Sequence, residues 1–323
     1  MFVPEYTITP KTLRNISTIE YSRAIIENTT ILQNFEIRLE KDTSIESIVH
    51  TLAFSGKKVS SELVRKKVDD IEKSAIPAID NLIKAHILTK EISGNQEFEE
   101  SDLMLFQETL LDSECKYRSR KISGKTDPEE ILAEVVELFD WYNSLDARDT
   151  NTIIVAGLIK GQLELIEPFE TTTFHASNLS ALTTLYSAGY NFARYLCLEC
   201  FYNTTKKQYA DSVAALVEDG DFTTWLEYFT EGFASQTANV EQKVKLLAKD
   251  TRIAKVTGRV HLSSRQEKIV EYIQDYGILQ NKSFVLLFPN ISEDSVLRDL
   301  KGLIDKGIVA KRGSTKSSRY ELA

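Results

Sequence analysis

Between Leu163 and Tyr195 the chain carries its most promising set of reactive side chains. Glu167 and Glu170 are three positions apart, and His175 follows them. Two carboxylates on one helical turn can work as a general acid and a general base, and a histidine can contact an anion. This segment is therefore the first candidate for a functional site.

Two apolar segments flank these side chains and predict the elements that position them. Residues 153–166 form an apolar run, and a second helix-like apolar pattern begins at Leu179. Pro168 and the threonines after it interrupt the pattern, and Thr171 or Thr172 is a suitable N-cap for the second helix. We predict two buried helices with the polar residues in the loop between them.

The loop resembles the signature motif of the Fic family of AMP transferases. That motif reads His-Pro-Phe-x-(Asp/Glu)-Gly-Asn-Gly-Arg-x-x-Arg and lies between two central helices. Pro168 and Phe169 match it, whereas the other defined positions differ. The motif positions in this chain are Glu167, Pro168, Phe169, Glu170, Thr171, Thr172, Thr173, Phe174, His175 and Asn178.

Flanking segments extend the resemblance along the chain. Residues 115–118 resemble the segment before the family's target-docking flap, and residues 137–141 resemble the helix packed before the motif. Residues 189–190 and 220–229 look like parts of the closing helices. From about Thr12 to the C-terminus, the order of segments fits a Fic protein with a C-terminal winged helix.

The resemblance implies AMP transfer from ATP to a protein hydroxyl, and the changed residues argue against that reaction here. Glu167 replaces the histidine base and would be poorly basic unless burial raised its pKa. Thr171 replaces the carboxylate that binds the metal. Thr172, Thr173 and Phe174 disfavour the curled backbone that Gly-Asn-Gly forms around phosphate.

The two arginine positions of the motif are changed as well. His175 and Asn178 stand where the family has the arginines that hold phosphate. A partly packed histidine on the helix surface is the simpler role for His175. We therefore predict a pseudoenzyme with no metal site, which does not use the ATP and Mg²⁺ of its active relatives.

The family's inhibitory motif, Ser/Thr-x-x-x-Glu-Gly/Asn, also has a degenerate counterpart. Thr51, Ser55 and Gly56 occupy the closest matching positions, with Ser55 where the inhibitory glutamate would be. The resemblance implies that this glutamate occupies the nucleotide site, so its loss is the expected companion of a lost active site. Its loss would also fit an unrestrained enzyme.

The composition is that of an ordinary globular protein and excludes several functional classes. A net charge of −9 argues against broad, nonspecific nucleic-acid binding. No apolar run reaches the roughly 18 residues of a membrane span, and the N-terminus lacks a secretory signal pattern. We expect a cytoplasmic protein without a membrane partner.

The three cysteines suit a reducing compartment. Cys197 and Cys200 form a C-x-x-C pair inside an apolar helical run, and Cys115 lies far from them in the sequence. A redox pair would open a helix after a strand, and no second pair completes a zinc site. We predict buried core cysteines at positions 197 and 200.

Helical periodicity dominates the chain and predicts a mainly α fold in three parts. These are an N-terminal helical region (1–95), a Fic-like helical core (96–258) and a winged helix-turn-helix domain (259–323). A polar connector at residues 93–100 and a break at 257–259 suggest the two boundaries.

The winged-helix prediction rests on the order of elements near the C-terminus. Residues 264–276, 282–288 and 292–306 predict three helices, and residues 308–312 and 318–322 predict two strands that form a wing.

Capping signals predict where two helices begin. Ser264 and Glu267 form a plausible capping box. Asp127 can cap a helix with Pro128 at its first position.

The C-terminal domain combines an acidic helix start with a basic wing. Glu293 and Asp294 at the start of the third helix would repel a phosphate backbone. Basic residues able to contact phosphates or a partner are Lys311, Arg312, Lys316, Arg319 and Arg298. Protein docking and weak DNA contact both fit this arrangement.

Three functional hypotheses follow. The leading one is an inactive Fic-fold protein that acts as a binding or regulatory module with a protein partner. The second is a divergent transferase that uses Glu167 and Glu170 in altered chemistry. The third is a winged-helix DNA-binding regulator whose core dimerises or senses. Homodimers are common among proteins of this resemblance.

Overall fold

A computed structural model of the chain describes residues 2–69, 76–95, 97–257, 262–289, 291–313 and 318–322. The chain divides into two compact units, Met1–Ala248 and Lys249–Ala323, here called the first and second unit. The predicted division into three parts stays a prediction.

The first unit is helical, and its helices bury apolar faces in one core. Its helices are α1 (Pro10–Asn28), α2 (Gln33–Phe54), α3 (Ser61–Asp69), α4 (Pro77–Ile92), α5 (Glu100–Leu111), α6 (Ile131–Tyr142), α7 (Leu145–Asp149), α8 (Thr152–Ile166), α9 (Thr173–Ser187), α10 (Leu198–Thr204) and α11 (Lys206–Asp219). A 3-10 turn at Asn191–Tyr195 precedes α10. Helix α12 (Thr223–Thr257) follows α11 and begins in this unit. The mainly α fold class is confirmed.

Helix α8 lies at the centre of the first unit and is buried along most of its length. Two glycines let α12 approach it closely. A Cβ at Gly157 would come within 2.7 Å of Leu226, and one at Gly161 within 2.6 Å of Trp225. The indole N–H of Trp225 donates a 2.7 Å hydrogen bond to the Gly157 carbonyl. This packing fixes α8, from which the candidate loop emerges.

The second unit packs short helices against a small sheet. Its elements are α13 (Ser264–Tyr276), β1 (Leu279–Gln280), a 3-10 turn (Asn281–Ser283), α14 (Phe284–Leu287), α15 (Glu293–Asp305), β2 (Val309–Arg312) and β3 (Arg319–Leu322). The strands are antiparallel in the order β1-β3-β2. Arg312 lies opposite Arg319, and Lys311 lies opposite Tyr320.

The predicted strands at 308–312 and 318–322 are confirmed within one residue of each end. The two-residue strand β1 was missed, because its length gives no detectable periodicity. The capping box lies one residue earlier than predicted: Ser263 and Gln266 exchange the hydrogen bonds.

The predicted helix start at Pro128 is wrong. Residues 128–130 form a turn, closed by a 2.9 Å hydrogen bond from the Glu130 N–H to the Asp127 carbonyl. Helix α6 then begins at Ile131. Because residues 128–130 form this turn, they precede the helix and are not part of it.

Cys197 is buried, as predicted, whereas Cys200 is only partly buried. Cys197 and Cys200 form a disulfide, since the turn into α10 brings their Cα atoms to 5.3 Å. Cys115 is free and buried. The Glu46 carboxylate lies near both bonded sulfurs.

None of the helices in the described ranges combines the length and the apolar character that crossing a bilayer requires.

Candidate functional site

The candidate loop (residues 167–172) joins α8 to α9 and begins with an unusual backbone conformation. Glu167 ends α8 in the left-handed region, with φ 50° and ψ 61°, and its N–H donates a 2.9 Å hydrogen bond to the Leu163 carbonyl. A residue other than glycine adopts this backbone conformation at some energetic cost. The surrounding contacts must therefore hold the loop in place.

Arg118 supplies those contacts from a buried position. Its guanidinium donates to the carbonyls of Glu167 at 2.6 Å, Ile166 at 3.1 Å and Arg120 at 2.6 Å, and also to the carbonyl of Thr126. Its backbone N–H donates to the Pro168 carbonyl at 2.8 Å. Arg118 thus ties the loop to residues 118–126. Arg118 was not among the predicted site residues, because a single arginine in a polar segment carries no burial signal.

The two loop carboxylates contact different cations. Glu167 lies 3.5 Å from the ammonium of Lys125, while the exposed Glu170 lies 3.6 Å from the guanidinium of Arg120. Lys125 also donates to the Glu164 carbonyl at 2.7 Å. Each carboxylate is thus neutralised by its own partner.

The three threonines have separate environments. Thr171 is exposed. Thr172 is the N-cap of α9, as predicted, but its buried hydroxyl donates to the Gln107 side chain and not to the helix. The Thr173 hydroxyl accepts from the Phe169 N–H at 3.1 Å and lies 3.2 Å from the Phe169 carbonyl. Both buried hydroxyls are therefore engaged by protein groups.

The backbone of residues 168–175 does not curl in the way an anion-binding nest does. A nest alternates right-handed and left-handed residues. None of these described residues has a positive φ.

The C-terminal end of α2 packs onto the first turn of α9. The rings of Phe54 and Phe174 stack with centroids 3.8 Å apart, and Tyr209 contacts both rings edge-on. The Ser55 hydroxyl lies 3.4 Å from the His175 imidazole. The residues predicted to occupy the inhibitory-motif and signature-motif positions therefore lie close together, although 120 positions separate Ser55 from His175.

The other two residues predicted for the inhibitory motif, Thr51 and Gly56, lie beside this contact. Thr51 is buried, and its carbonyl accepts from the Ser55 hydroxyl at 3.4 Å. Gly56 has a φ of +82°, which lets the chain leave α2. Lys206 donates to the carbonyls of Ala53 and Phe54 at 3.0 and 3.2 Å. These contacts give hydrogen-bond donors to three backbone carbonyls at the C-terminal end of α2.

His175 is neutral at physiological pH. Burial lowers its pKa to about 4, and the nearby Lys57 acts in the same direction. Its Nδ1 has no hydrogen-bond partner among the described residues. The predicted surface position of this histidine is wrong, because α2 covers it.

A buried ion pair lies beneath α9. The fully buried ammonium of Lys160 donates to Glu164, Ser177 and Tyr209, each at 3.0 Å. Burial lowers the pKa of Lys160, with Glu164 opposing that shift. Burial opposes ionisation of Glu164 too, but Lys160 and the donors Ser177 and Tyr209 hold its pKa below the ordinary value. This ion pair was not predicted, because its spacing of four positions within α8 was its only signal in the sequence.

Asn178 faces a different environment from the rest of the motif. It lines a cavity together with Tyr202, and neither atom of its side-chain amide has a hydrogen-bond partner among the described residues. The structure therefore separates Asn178 from the loop side chains with which the sequence motif groups it.

In the second unit, the predicted basic residues lie on β2, β3 and α15. Lys311, Arg312 and Arg319 are exposed, and Arg312 pairs with Glu321. Arg298 is exposed on α15, with its side chain 3.4 Å from the Asp294 carbonyl. Lys316 lies outside the described residues.

Comparisons with known proteins found similarity only among solved structures. No family model and no curated protein sequence matches the chain. A Fic family protein from Desulfovibrio desulfuricans G20 is 16% identical, with a TM-score of 0.67, and the match covers 100% of this chain and 98% of that one. A Fic domain containing signaling protein from Bacteroides thetaiotaomicron VPI-5482 is 17% identical, with a TM-score of 0.59 and coverage of 74% and 98%. Fic-1 from C. elegans is 17% identical, with a TM-score of 0.56 and coverage of 73% and 72%.

Proposed function

We propose that this chain, which has the Fic fold, has lost AMP transfer and acts as a binding or regulatory module. The observation that carries the proposal is the stacking of Phe54 on Phe174 at the first turn of α9. That turn follows directly on the loop where the resemblance places the nucleotide phosphates. Stacked side chains at this position leave less room for a ligand.

The chemistry of the loop supports the same conclusion. Glu167 is paired with Lys125 and replaces a neutral base, and Thr171 offers no carboxylate to Mg²⁺. His175 is buried and neutral, so it adds no positive charge to stabilise a phosphate. The base, the metal ligand and the anion clamp are therefore all altered together, and such losses are not repaired one at a time.

A transfer assay tests this proposal. The full chain is incubated with Mg²⁺ and ATP labelled at the α-phosphate, with itself and a cell extract as targets. We expect no labelled protein, and none with Glu167→His, because the other altered groups remain. Labelling that disappears in Glu167→Gln would overturn the proposal and support a divergent transferase in which Glu167 and Glu170 do the chemistry.

We propose a protein contact for the second unit. Val285 and Leu286 are 71% and 80% exposed on α14, and Tyr276 is 66% exposed at the end of α13. Contiguous exposed apolar patches mark interaction surfaces, and the adjacent residues Val285 and Leu286 are the candidates for such a patch. A second copy of the chain is the simplest partner.

Sedimentation of the full chain tests this contact. We expect dimers that Leu286→Ser weakens and that the control Lys282→Ser leaves unchanged. A wild-type chain that sediments only as a monomer would contradict the contact.

DNA contact is the second candidate for this unit. Arg312 and Arg319 lie opposite each other across β2 and β3, and both are exposed, with Arg312 also paired to Glu321. Paired arginines on a hairpin can contact phosphates, in which case affinity falls steeply with salt. Binding to duplex DNA that weakens with salt and with Lys311→Ala and Arg312→Ala would favour this function. An affinity for DNA that changes neither with salt nor with these substitutions would contradict DNA contact as a function of this unit.

A further inference from the structure

A cavity of about 390 Å³ lies in the first unit among α2, α4, α9 and α10. None of its lining residues belongs to the loop at 167–172. Its walls are mostly apolar, and they are formed by Ile83, Ala181, Leu182, Leu185, Leu196 and Leu198. Its volume is in the range of small-molecule sites.

Two residues on the lining of this cavity carry unsatisfied polar atoms. The amide Oδ1 and Nδ2 of Asn178 and the hydroxyl of Tyr202 are buried, and no described residue forms a hydrogen bond with them. Tyr202 itself is fully buried. Buried polar atoms in native proteins nearly always have partners, because leaving them unpaired is costly. Two such groups on the lining of one cavity indicate a ligand that pairs with both.

The charges around the cavity disfavour an anionic ligand. Lys160 lines the cavity, but each of its three donors is already used by Glu164, Ser177 or Tyr209. Glu199, also on the lining, adds a carboxyl group whose pKa is raised by burial.

The basic groups elsewhere on the lining do not change this balance. Lys90 and Arg194 both contact the carboxylate of Glu40. The His86 imidazole, 3.4 Å from the Ser47 hydroxyl, has its pKa lowered to about 4 by burial and by Lys90, so it is uncharged at neutral pH. An uncharged ligand suits such a lining best.

We propose that this cavity binds a small, flat, uncharged molecule whose lactam or amide edge pairs with Asn178. A lactam N–H would donate to Oδ1, and its carbonyl would accept from Nδ2 and from the Tyr202 hydroxyl. The apolar walls would cover the rest of the molecule. This inference goes beyond the loss of AMP transfer and does not depend on it.

Calorimetry on the full chain tests the proposal with isoquinolinone, a fused bicyclic lactam. We expect saturable binding that Asn178→Leu weakens at least about tenfold and Tyr202→Phe weakens less. Asn239→Leu, an exposed substitution of the same type on α12, should bind as the wild type does. Naphthalene, which has the rings without the lactam, should bind at least about tenfold more weakly than isoquinolinone.

A melting experiment separates the ligand role of Asn178 from a structural one. Asn178→Leu removes unpaired buried polar atoms, so its melting temperature should rise by about 2 °C or more. A fall would show that Asn178 has a structural role and would overturn the proposal. Absence of isoquinolinone binding up to millimolar concentration, or equal binding by the Leu variant or by naphthalene, would overturn it too.

Discussion

Helix α9 presents two contrasting polar environments. At its N-terminal end, Thr172 and Thr173 have protein partners, and Phe54 covers Phe174. Farther along the same helix, the Asn178 amide has no partner among the described residues and lines a cavity. The first region is closed by the chain's own side chains, whereas the second leaves hydrogen-bonding capacity for another molecule. A ligand is therefore expected in the middle of the helix and not at its N-terminus.

The largest expected effect concerns the contacts that hold the closed region. Arg118→Met removes the donors for four backbone carbonyls and leaves buried acceptors unpaired. We expect a loss of about 3–5 kcal/mol of unfolding free energy, measured by urea denaturation. Arg120→Met is the matched control and should cost less than about 0.5 kcal/mol, because that side chain is 67% exposed. Equal effects of the two variants would show that the loop does not depend on Arg118.

The next effect concerns acid stability of the same region. The His175 pKa is about 4 in the folded chain and about 6.5 when exposed. Above pH ~6.5 neither state is protonated; between pH ~6.5 and ~4 only the unfolded state binds the proton, so stability falls as pH falls. The full loss of unfolding free energy from His175 is about 3 kcal/mol, reached at or below pH ~4.

His175→Gln should therefore flatten the stability profile between these pH values, as measured by denaturation at each pH. His86 should remain responsible for part of the slope in this variant, because its pKa is lowered in the same direction. A profile unchanged by His175→Gln would mean that the imidazole is not buried.

One substitution at the N-terminal end of α9 and one at Asn178 should change the free energy of unfolding by similar amounts but in opposite directions. Thr172→Val removes the donor to the buried Gln107 and should cost about 1–3 kcal/mol. Asn178→Leu removes unpaired buried atoms and should stabilise the chain by a comparable amount. Urea denaturation of both variants measures this difference directly. The same sign for both would erase the distinction between the two regions.

The smallest expected effect is the coupling between the stacked rings. A double-mutant cycle of Phe54→Leu and Phe174→Leu should give an interaction energy of about 0.5–1.5 kcal/mol beyond apolar burial. Independent effects of the two substitutions would show that the rings do not stabilise one another.

The helices around the site were predictable, and the contacts that close it were not. Apolar periodicity located α8 and α9, and Pro168 located the break between them, since these signals are local in sequence. The contact between Ser55 and His175 joins residues 120 positions apart. Sequence periodicity carries no information about such a pair without the fold.

Burial of individual polar residues was the second kind of information that the sequence lacked. Arg118 was missed, and the environment of Asn178 was not foreseen, because a polar residue type predicts exposure by default. The left-handed conformation of Glu167 was missed for a related reason: glycine is the usual signal for that region. The Cys197–Cys200 disulfide contradicted an argument from composition.

Calorimetric titration of the full chain with ATP and Mg²⁺, carried to millimolar nucleotide, tests whether the loop still serves nucleotide chemistry. We predict only heats of dilution, because Thr171 offers no carboxylate to a metal ion, residues 168–175 include no left-handed residue that could form a nest, and His175 is uncharged. Saturable binding that requires Mg²⁺ and is lost in Glu167→Gln would contradict this prediction.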